Sequence, residues 1–586
     1  MINNIFLILF NTGFFSLSVF LLRIFKSEVN FINIIINFTL ILVAQSYLLY
    51  SLFLFEIYKE NLLDFYFYII LASNFLFLIG YNNNKEIFKN TLKYLSLRHK
   101  YLIFYFFIFL LISLLPASDP DSLDYHLGAP KNWLYLEKIV KNDVWLHFRL
   151  SSYGEALNVF SIKYFNLNYL SFLNVIYYIF ITTIISSFIK KDNYFLLNFF
   201  ISTPILIFLI FNQKPHFIGY ALIIISVYLM FFSFNKEKFF IRITSIILLS
   251  YVTSIKLSFV PTTILIFLLH LIYSKKKYSN ATYFIFFSII FSGTIFYKNY
   301  IFYLNPLSPF FDSFFTNKYD LINFSNYLKT FGPNFEIGNI LLFPIKFFIP
   351  FNFSALTTCY GFIFLSLFFL KKTMINKNIL LIIITIFLSV IITFQLSNRY
   401  YFHFYFMIVL FLTYFNFKNK GFLKLISIFQ LGIVSVFLLF YLSLNFKPLI
   451  SQDYNENFFQ KNVYQYEEIK WINNKIPENN FTTDIRSRFF LNNNHITSHF
   501  LHYVSEDNFD TEFNKFVKEF DIRYFSFVKT GIDTFFYKKI KNCKKNIKVK
   551  KFLKKRRNFL APKVYIEREI FELDLNNKRC LISKSL

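Results

Sequence analysis

Apolar segments of roughly membrane-spanning length recur along most of this chain, and they constrain its fold more than any other feature. A helix that crosses a bilayer needs about 20 consecutive apolar residues, and windows of that kind predict about 14 spanning helices. With 56% hydrophobic and 16% charged residues, the chain is too apolar for a soluble globular protein. We therefore predict a polytopic α-helical membrane protein. The predicted segments lie near residues 4–22, 31–57, 62–81, 101–116, 168–189, 194–211, 217–233, 240–253, 259–273, 281–297, 353–370, 379–396, 402–416 and 425–445.

Basic residues alternate between the connecting loops. Clusters such as Lys190–Lys191 and Lys275–Lys277 fall in every second loop. Because loops rich in Lys and Arg stay on the cytoplasmic side, the other loops are predicted to lie outside. These include the long loops 117–167 and 298–352 and the tail after residue 445. We therefore predict a multi-pass membrane protein whose long loops and tail are extracytoplasmic. Two tryptophans in the loop 117–167 predict that it runs along the membrane surface.

The segment 446–586 is more polar than the rest of the chain and is predicted to be a small soluble α/β or α+β domain. A helix is expected from Tyr466 to Ile472, ahead of Pro477, and a β-rich run extends from Tyr524 to Val528. A dense basic run lies between Lys538 and Arg557. It is typical of a solvated face or of contact with anionic lipid, and its few aromatic residues argue against nucleic acid.

Three aspartates and a histidine follow directly on the fourth apolar segment. Asp119 precedes Pro120, which is typical of a helix start with the aspartate as N-cap. Asp121 and Asp124 lie one helical turn apart, with His126 beside them, and capping does not explain them. A carboxylate close to a hydroxyl or amine acceptor can serve as a general base. This stretch is therefore the candidate catalytic segment.

Three basic positions are predicted to lie on the same outer side as the aspartates. Lys256 and Arg399 stand at junctions of apolar segments, and Lys214 with His216 forms a third polar cluster. Charged groups at membrane depth are costly and mark functional sites, and fixed cations can hold a phosphate. Snorkelling of Lys256 to the interface and a simple tight turn at Lys214 are the structural alternatives. The sequence contains no glycine-rich phosphate loop and no zinc-type His or Cys spacing.

Several short motifs occur in a fixed order. They are Asp121–Leu127 with Pro130 and Lys131, Ser254–Lys256, Lys298–Tyr300, Asn305–Phe310, Asn398–Tyr400 and Trp471–Pro477. Their order resembles that of the GT-C superfamily of membrane glycosyltransferases, which includes protein mannosyltransferases and the lipid A aminoarabinose transferase. The motifs are most similar to those of uncharacterised bacterial members. Two positions depart from the family pattern, since Ser122 stands where an acid often occurs and Leu304 stands in place of a glycine.

The resemblance implies transfer of a sugar from a polyprenyl-phosphate donor to a lipid, glycan or protein acceptor at the outer face. It matches Asp121 to the family's loop aspartate, the general base. Asp124 and Glu155 would then orient the acceptor or bind a divalent metal such as Mg²⁺ or Mn²⁺, and no cofactor is otherwise expected. A single displacement with inversion at the anomeric carbon is expected. The substrate-binding positions would be His126, Lys256, Asn305, Arg399 and Tyr400.

The same reasoning predicts three parts of the chain. Residues 1–100 would be an N-terminal transmembrane extension, 101–445 a GT-C-like core and 446–586 the outer domain, with anionic lipid as a further partner. One alternative is a transporter or flippase of lipid-linked saccharides, which would show inverted repeats and helices broken at Gly or Pro. A second alternative is a non-catalytic membrane scaffold whose tail binds a partner.

Overall fold

A computed structural model describes most of the chain, and its residues fall into two compact units. The helical unit comprises Met1–Ala117, Ser152–Ile295 and Asn334–Asn455, and the mixed unit comprises Ser118–Ser151, Phe296–Pro333 and Glu456–Leu586. Each unit is therefore assembled from segments that are distant in sequence. The described residues are 2–24, 30–78, 100–142, 145–233, 238–310, 345, 347, 358–371, 377–392, 397–476, 479–492, 495–498, 509–529, 540–554 and 564–574.

Helices dominate the described residues, and a small sheet lies near the C-terminus. In chain order the α-helices are α1 (Ile2–Ile24), α2 (Phe31–Leu54), α3 (Glu60–Ala72), α4 (Phe75–Leu78), α5 (Lys100–Ser113), α6 (Gly128–Leu136), α7 (Leu146–Arg149), α8 (Tyr153–Ala156), α9 (Asn158–Lys163), α10 (Tyr169–Phe188), α11 (Phe195–Ile201), α12 (Ile205–Ile210), α13 (His216–Val227), α14 (Phe239–Ile255), α15 (Val260–Tyr273), α16 (Lys277–Tyr303), α17 (Lys377–Ile392), α18 (Phe402–Leu412), α19 (Lys420–Leu444), α20 (Lys447–Ile450), α21 (Asn455–Asn462), α22 (Tyr466–Lys475) and α23 (Phe509–Glu519). The strands are β1 (Phe481–Thr483), β2 (His495–Thr497), β3 (Tyr524–Val528), β4 (Lys544–Lys554) and β5 (Val564–Leu573).

Among the described residues, five helices are long and apolar enough to cross a membrane: α1, α2, α10, α16 and α19. Further apolar helices, including α5, α14 and α17, coincide with predicted segments but are shorter than a full span. The prediction of an apolar helical protein compatible with a membrane, carrying a small C-terminal sheet domain, is confirmed at this level. The count of about 14 spanning helices is not confirmed and stays a prediction.

The predicted continuous segment 194–211 is wrong, because the chain breaks between α11 and α12 at Ser202–Pro204. Proline has no N–H to donate and disfavours helical geometry in the residue before it, so the helix cannot run through this point. The backbone groups released by the break are hydrogen-bonded within the helical unit. Tyr178 Oη donates to the Ile201 carbonyl at 3.1 Å, and the Ile205 N–H donates to the Cys359 carbonyl at 3.0 Å.

The sheet of the mixed unit has the strand order β2-β1-β3-β5-β4. The pairs β1–β2 and β1–β3 are parallel, whereas β3–β5 and β5–β4 are antiparallel. Helix α22 buries Ile469 and Ile472 in a cluster with Ile570 of β5, and α23 covers the opposite face through Phe513 and Phe525, whose ring centroids lie 5.8 Å apart. The predicted helix at Tyr466 and strand at Tyr524–Val528 are both confirmed, while Pro477 lies outside the described residues.

Both tryptophans of the loop 117–167 are buried in protein. The exposed fraction of Trp133 is 0% and that of Trp145 is 6%. Gly128 makes room for the Trp145 ring, because a Cβ at this position would come within 3.0 Å of it. The two rings therefore serve as core side chains of the mixed unit, so they do not support the prediction that this loop lies in the membrane interface.

Candidate functional site

The helical unit gathers basic side chains from three segments at the ends of its helices. His216 begins α13, Lys256 directly follows α14, and Arg399 and Tyr400 lie in a short helical turn, Asn398–Tyr401, that precedes α18. We call Lys214, His216, Lys256, Arg399 and Tyr400 the cation cluster. Three of its members, Lys256, Arg399 and Tyr400, are predicted from the sequence as substrate-binding positions, and the structure brings them together.

Tyr400 is the centre of the cation cluster. The Lys256 ammonium lies 5.1 Å from the centroid of the Tyr400 ring, and the Arg399 guanidinium lies 5.0 Å from it. Arg399 Nη2 also donates a hydrogen bond to Tyr400 Oη at 3.2 Å. Lys256 Nζ is hydrogen-bonded to the His216 ring, and Lys214 is close enough to Lys256 and Tyr400 to interact with both electrostatically. Lys256, Arg399 and Tyr400 are only partly buried, whereas Lys214 and His216 are buried.

Mutual repulsion and burial perturb the acid–base behaviour of this cluster. Burial lowers the pKa of Lys256 below that of a free lysine, and the positive charges of Arg399 and Lys214 act in the same direction, although Tyr400 opposes them. Burial alone would raise the pKa of Tyr400, but Lys256 and Arg399 outweigh it and lower that pKa to about 8. A phenol that ionises this easily shows that the cluster stabilises a negative charge.

Two glycines allow the segments around the cation cluster to approach closely. A Cβ on Gly154 of α8 would lie 2.5 Å from the Pro215 ring, between Lys214 and His216. A Cβ on Gly219 of α13 would collide with the ring of Phe259, which follows Lys256 by less than one turn. Any larger side chain at either glycine would therefore displace a segment that carries a basic residue.

Glu155 lies in α8 and has a definite structural role. Its Oε2 accepts a hydrogen bond from the Ser152 N–H at 2.8 Å, which is one half of a capping box whose other half joins the Ser152 side chain to the Glu155 backbone N–H. The Ser152 hydroxyl also donates to the carbonyl of Ile255 at 2.9 Å. This arrangement ties the capped turn to the residue before Lys256. The predicted catalytic role of Glu155 stays a prediction.

The aspartates of the candidate catalytic segment lie in the mixed unit, at the start of a helical turn. Asp119 Oδ1 accepts a hydrogen bond from the Ser122 N–H at 3.0 Å, so its predicted role as N-cap is confirmed. Asp121 is 3.3 Å from Arg486 Nη2, and its side chain keeps 29% of its surface exposed. Arg486 is itself 59% exposed. An ion pair this open is weak and can be displaced by a substrate.

Asp124 differs from Asp121 because it is buried in an ion pair. Its Oδ1 lies 3.0 Å from Arg488 Nη1, and the two side chains keep only 4% and 1% of their surface exposed. The Arg488 guanidinium lies 5.0 Å from the centroid of the Trp145 ring. Burial raises the pKa of Asp124 to about 6, even though Arg488 and Arg486 act to lower it. Asp124 therefore connects the loop 118–151 with the segment that follows β1.

The sequence reasoning missed Arg486 and Arg488. These arginines flank Ser487 and carry no local pattern that separates them from the other basic residues of a chain with 61 Lys and Arg. Their partners are far away in sequence, so only the fold shows the pairing.

Two further predicted residues, His126 and Asn305, lie in the mixed unit. His126 is 3% exposed, and its ring centroid lies 4.0 Å from that of Tyr125. Asn305 is fully buried, accepts a hydrogen bond from the Leu307 N–H at 2.9 Å and donates to the Phe310 carbonyl at 2.7 Å. These contacts shape the loop around Asn305. Substrate binding by either residue stays a prediction.

The metal alternative finds little support in the described part of the chain. No group of three or more His, Cys, Asp or Glu side chains with the geometry to hold a metal ion occurs among those residues. The two acids predicted as metal ligands are already engaged, Asp124 by Arg488 and Glu155 by Ser152.

Comparisons of the chain with protein-family models, with curated proteins and with solved structures found no match. The GT-C resemblance accordingly remains a prediction from the motifs themselves.

Proposed function

We propose that this protein is a membrane glycosyltransferase of the GT-C type that uses a polyprenyl-phosphate sugar donor. The observation that carries this is the cation cluster, a group of basic side chains around Tyr400 in a unit built of apolar helices. A lipid phosphate needs fixed positive charge next to apolar surface, and both are present there. The lowered pKa of Tyr400, to about 8, supports the same preference for an anion.

In the proposed reaction, the cation cluster holds the phosphate of the donor. The Asp121 carboxylate takes the proton of an acceptor hydroxyl or amine, and the acceptor atom forms a bond to the anomeric carbon. The bond from that carbon to the phosphate oxygen breaks, and its electron pair stays on the polyprenyl phosphate. Asp121 suits this role because it is partly exposed and its ion pair with Arg486 is open to solvent. One base and one leaving group imply inversion at the anomeric carbon.

The finer architecture belongs to the same proposal. The membrane part would contain about 14 spanning helices, with residues 1–100 as an extension and 101–445 as the core. The loops 117–167 and 298–352 and the domain 446–586 would lie outside the cell inner membrane, as the alternation of basic loops supports. The partners would be the lipid-linked donor and anionic lipid.

Replacement of Asp121 by Asn tests this function directly. In membranes that contain the lipid-linked sugar pool, D121N should bind the donor as the unchanged protein does but should lose transfer by a factor of about 100 or more, as expected for loss of a general base. Release of polyprenyl phosphate is the readout. The matched control is Glu467→Gln, an exposed acid on α22 of the same unit. Full transfer by D121N would show that Asp121 is not the base. Isolation of a covalent glycosyl-enzyme would rule out the single-displacement mechanism.

A transporter or flippase of lipid-linked saccharides is the second candidate, because one observation favours it. Transporter folds commonly contain broken helices near the binding site, and the break between α11 and α12 at Pro204 is of that kind. Reconstitution into vesicles separates the two candidates. A transporter would move an intact lipid-linked sugar between leaflets, whereas the proposed enzyme would consume it only when an acceptor is present.

A further inference from the structure

The parallel part of the sheet has one edge from which the chain leaves in two directions. Strand β1 lies between β2 and β3, and the three strands are parallel. From the carboxyl end of β1 the chain continues to β2 on one side, whereas from the carboxyl end of β3 it continues toward β4 on the other side. In open α/β sheets, ligands bind outside the carboxyl ends of the strands at such a switch point. We call the position between the carboxyl ends of β1 and β3 the switch edge.

Charged side chains from several elements meet at the switch edge. Asp484 directly follows β1, and its Oδ2 accepts a hydrogen bond at 3.4 Å from the Val528 N–H at the end of β3. Its Oδ1 accepts from Arg568 Nη1 of β5 at 2.6 Å, and Arg568 Nε donates to Glu468 of α22 at 2.5 Å. This network fixes Asp484 on the edge, where its side chain keeps 25% of its surface exposed.

The proposed base is attached to the segment that forms this edge. Arg486 follows Asp484 by two residues, is 59% exposed and lies 3.3 Å from Asp121 Oδ1. The Arg486 backbone is held in place because its N–H donates to Gln465 Oε1 at 3.0 Å, at the start of α22. Two partly exposed carboxylates and one exposed guanidinium are therefore gathered in this part of the mixed unit.

Polar groups also lie beneath the switch edge. Arg568 and Ser526 are fully buried. Among the residues that the structure describes, Arg568 Nη2 and Ser526 Oγ have no hydrogen-bond partner. Ser526 belongs to β3, and its carbonyl accepts from Arg568 Nη1 at 3.3 Å. A buried polar atom without a partner is costly, so its retention indicates a binding role.

The charges at the switch edge select the class of ligand. Asp484 and Asp121 would repel a phosphate, and Arg486 would repel an ammonium group. Carboxylates accept hydrogen bonds, and a guanidinium donates them. A hydroxyl both donates and accepts, so a neutral molecule with several hydroxyls matches this set of side chains.

We infer that the switch edge binds a neutral saccharide, which is the acceptor of the proposed transfer. Asp484 and Arg486 would hold its hydroxyls, and Asp121 would face the hydroxyl that reacts. This inference rests on the proposed function for the role of Asp121. It narrows the acceptor from a lipid, glycan or protein to a glycan.

Arginine modification of the full chain tests this site without any substitution. The protein in nanodiscs is treated with phenylglyoxal, and modified peptides are quantified by mass spectrometry. The probes are N-acetylglucosamine, methyl mannoside, lactose and inorganic phosphate, each at millimolar concentration. At least one of the saccharides should slow the modification of Arg486 several-fold, and phosphate should not.

Arg523 is the matched internal control. It is 60% exposed, lies 3.3 Å from Asp521 and directly precedes β3, at the opposite edge of the sheet. Its modification should not change with any probe. Equal slowing at Arg486 and Arg523, slowing of Arg486 by phosphate alone, or no slowing by any saccharide would each overturn the inference.

Asp484→Asn tests the second side chain of the site. It keeps Arg486 and should reduce the protection several-fold, and unchanged modification of Arg523 shows that the sheet is folded. Protection equal to that of the wild type would show that Asp484 does not bind the saccharide.

The result is separable from the test of the proposed function. Protection of Arg486 together with full transfer by D121N would support the saccharide site and contradict the proposed base. Loss of transfer by D121N without protection of Arg486 would support the proposed base and contradict an acceptor site at the switch edge.

Discussion

At the scale of single residues, the two candidate acids of the outer segment have different environments and therefore different chemistry. Asp121 is partly exposed and pairs with the exposed side chain of Arg486, whereas Asp124 is buried against Arg488. A buried ion pair is costly to desolvate, and the removal of one partner leaves an uncompensated charge. Asp124 is thus best suited to hold the loop in place, and Asp121 is the residue able to meet a substrate.

The raised pKa of Asp124 predicts a specific pH dependence of stability. Its carboxyl binds a proton more tightly in the folded chain, with a pKa of about 6, than in the unfolded chain, where the ordinary value is 3.8. The stabilisation from this group is therefore complete below about pH 4 and is lost as the pH rises through 6. The change is on the order of 3 kcal/mol, since one pKa unit corresponds to about 1.4 kcal/mol.

Tryptophan fluorescence reports the unfolding of the mixed unit, which contains Asp124. All three tryptophans of the chain, Trp133, Trp145 and Trp471, belong to that unit. Thermal unfolding of the wild-type protein followed in this way should shift between pH 4 and pH 7, and Asp124→Asn should abolish that part of the shift. Glu467→Gln is the control. The same pH dependence in wild type and Asp124→Asn would show that Asp124 titrates normally.

At the scale of elements, the break between α11 and α12 is stabilised by one side chain of α19. The Gln430 amide donates to the Phe199 carbonyl at 3.2 Å and to the Ser202 carbonyl at 3.1 Å, and its oxygen accepts from the Phe362 N–H at 2.8 Å. Gly361, with φ of 78°, is needed beside it, because a Cβ would collide with the Gln430 amide. A glutamine inside an apolar helix thus satisfies carbonyl groups on the N-terminal side of the break.

Gln430→Leu should destabilise the helical unit by roughly 2 to 5 kcal/mol, because the buried Ser202 carbonyl and the partly buried Phe362 N–H lose this hydrogen-bond partner. The buried thiol of Cys359, 2% exposed, reports unfolding of this unit when its alkylation is followed by peptide mass spectrometry during heating. Phe429→Leu, at a neighbouring position of α19 that is 60% exposed, is the matched control. Equal Cys359 reactivity in the two variants would show that Gln430 does not hold the break.

The close packing at Gly154 gives a second prediction for the elements of the helical unit. Gly154→Ala places a methyl group 2.5 Å from the rigid Pro215 ring, so Lys214 and His216 must move. We expect loss of stability of roughly 1 to 3 kcal/mol together with weaker binding of a phosphate lipid. Gly432→Ala on α19, where nothing lies within 4 Å of the added carbon, is the control. Unchanged stability and binding in Gly154→Ala would show that the close packing of Gly154 against Pro215 does not position Lys214 and His216.

At the scale of the whole molecule, the features that depend on local sequence were predictable and those that depend on distant pairing were not. Apolar length predicted α1, α2 and α19, and the Asp119–Pro120 step predicted its cap, because each signal resides within a few turns of chain. The pairing of Asp124 with Arg488 joins segments far apart in sequence. No local pattern encodes it.

The cation cluster is an intermediate case. Positive residues at the ends of apolar segments marked Lys256 and Arg399 individually, since charge is costly there. Their meeting around Tyr400 depends on the packing of α13 against Phe259 at Gly219, which single-sequence patterns do not show. The break at Pro204 is a different case. The apolar content of the segment 194–211 predicts one continuous helix, whereas the single proline within it ends the first helix.

Mass spectrometry of the lipid that copurifies with the protein tests the central claim most directly. The wild-type chain should retain polyprenyl phosphate or its sugar-linked form, and the double variant Lys256→Met with Arg399→Gln should lose it while keeping bulk phospholipid. The Gly432→Ala variant should retain the lipid as the wild type does. Bulk phospholipid alone on the wild-type protein, or equal polyprenyl phosphate on the double variant, would contradict a phosphate-lipid site at the cation cluster.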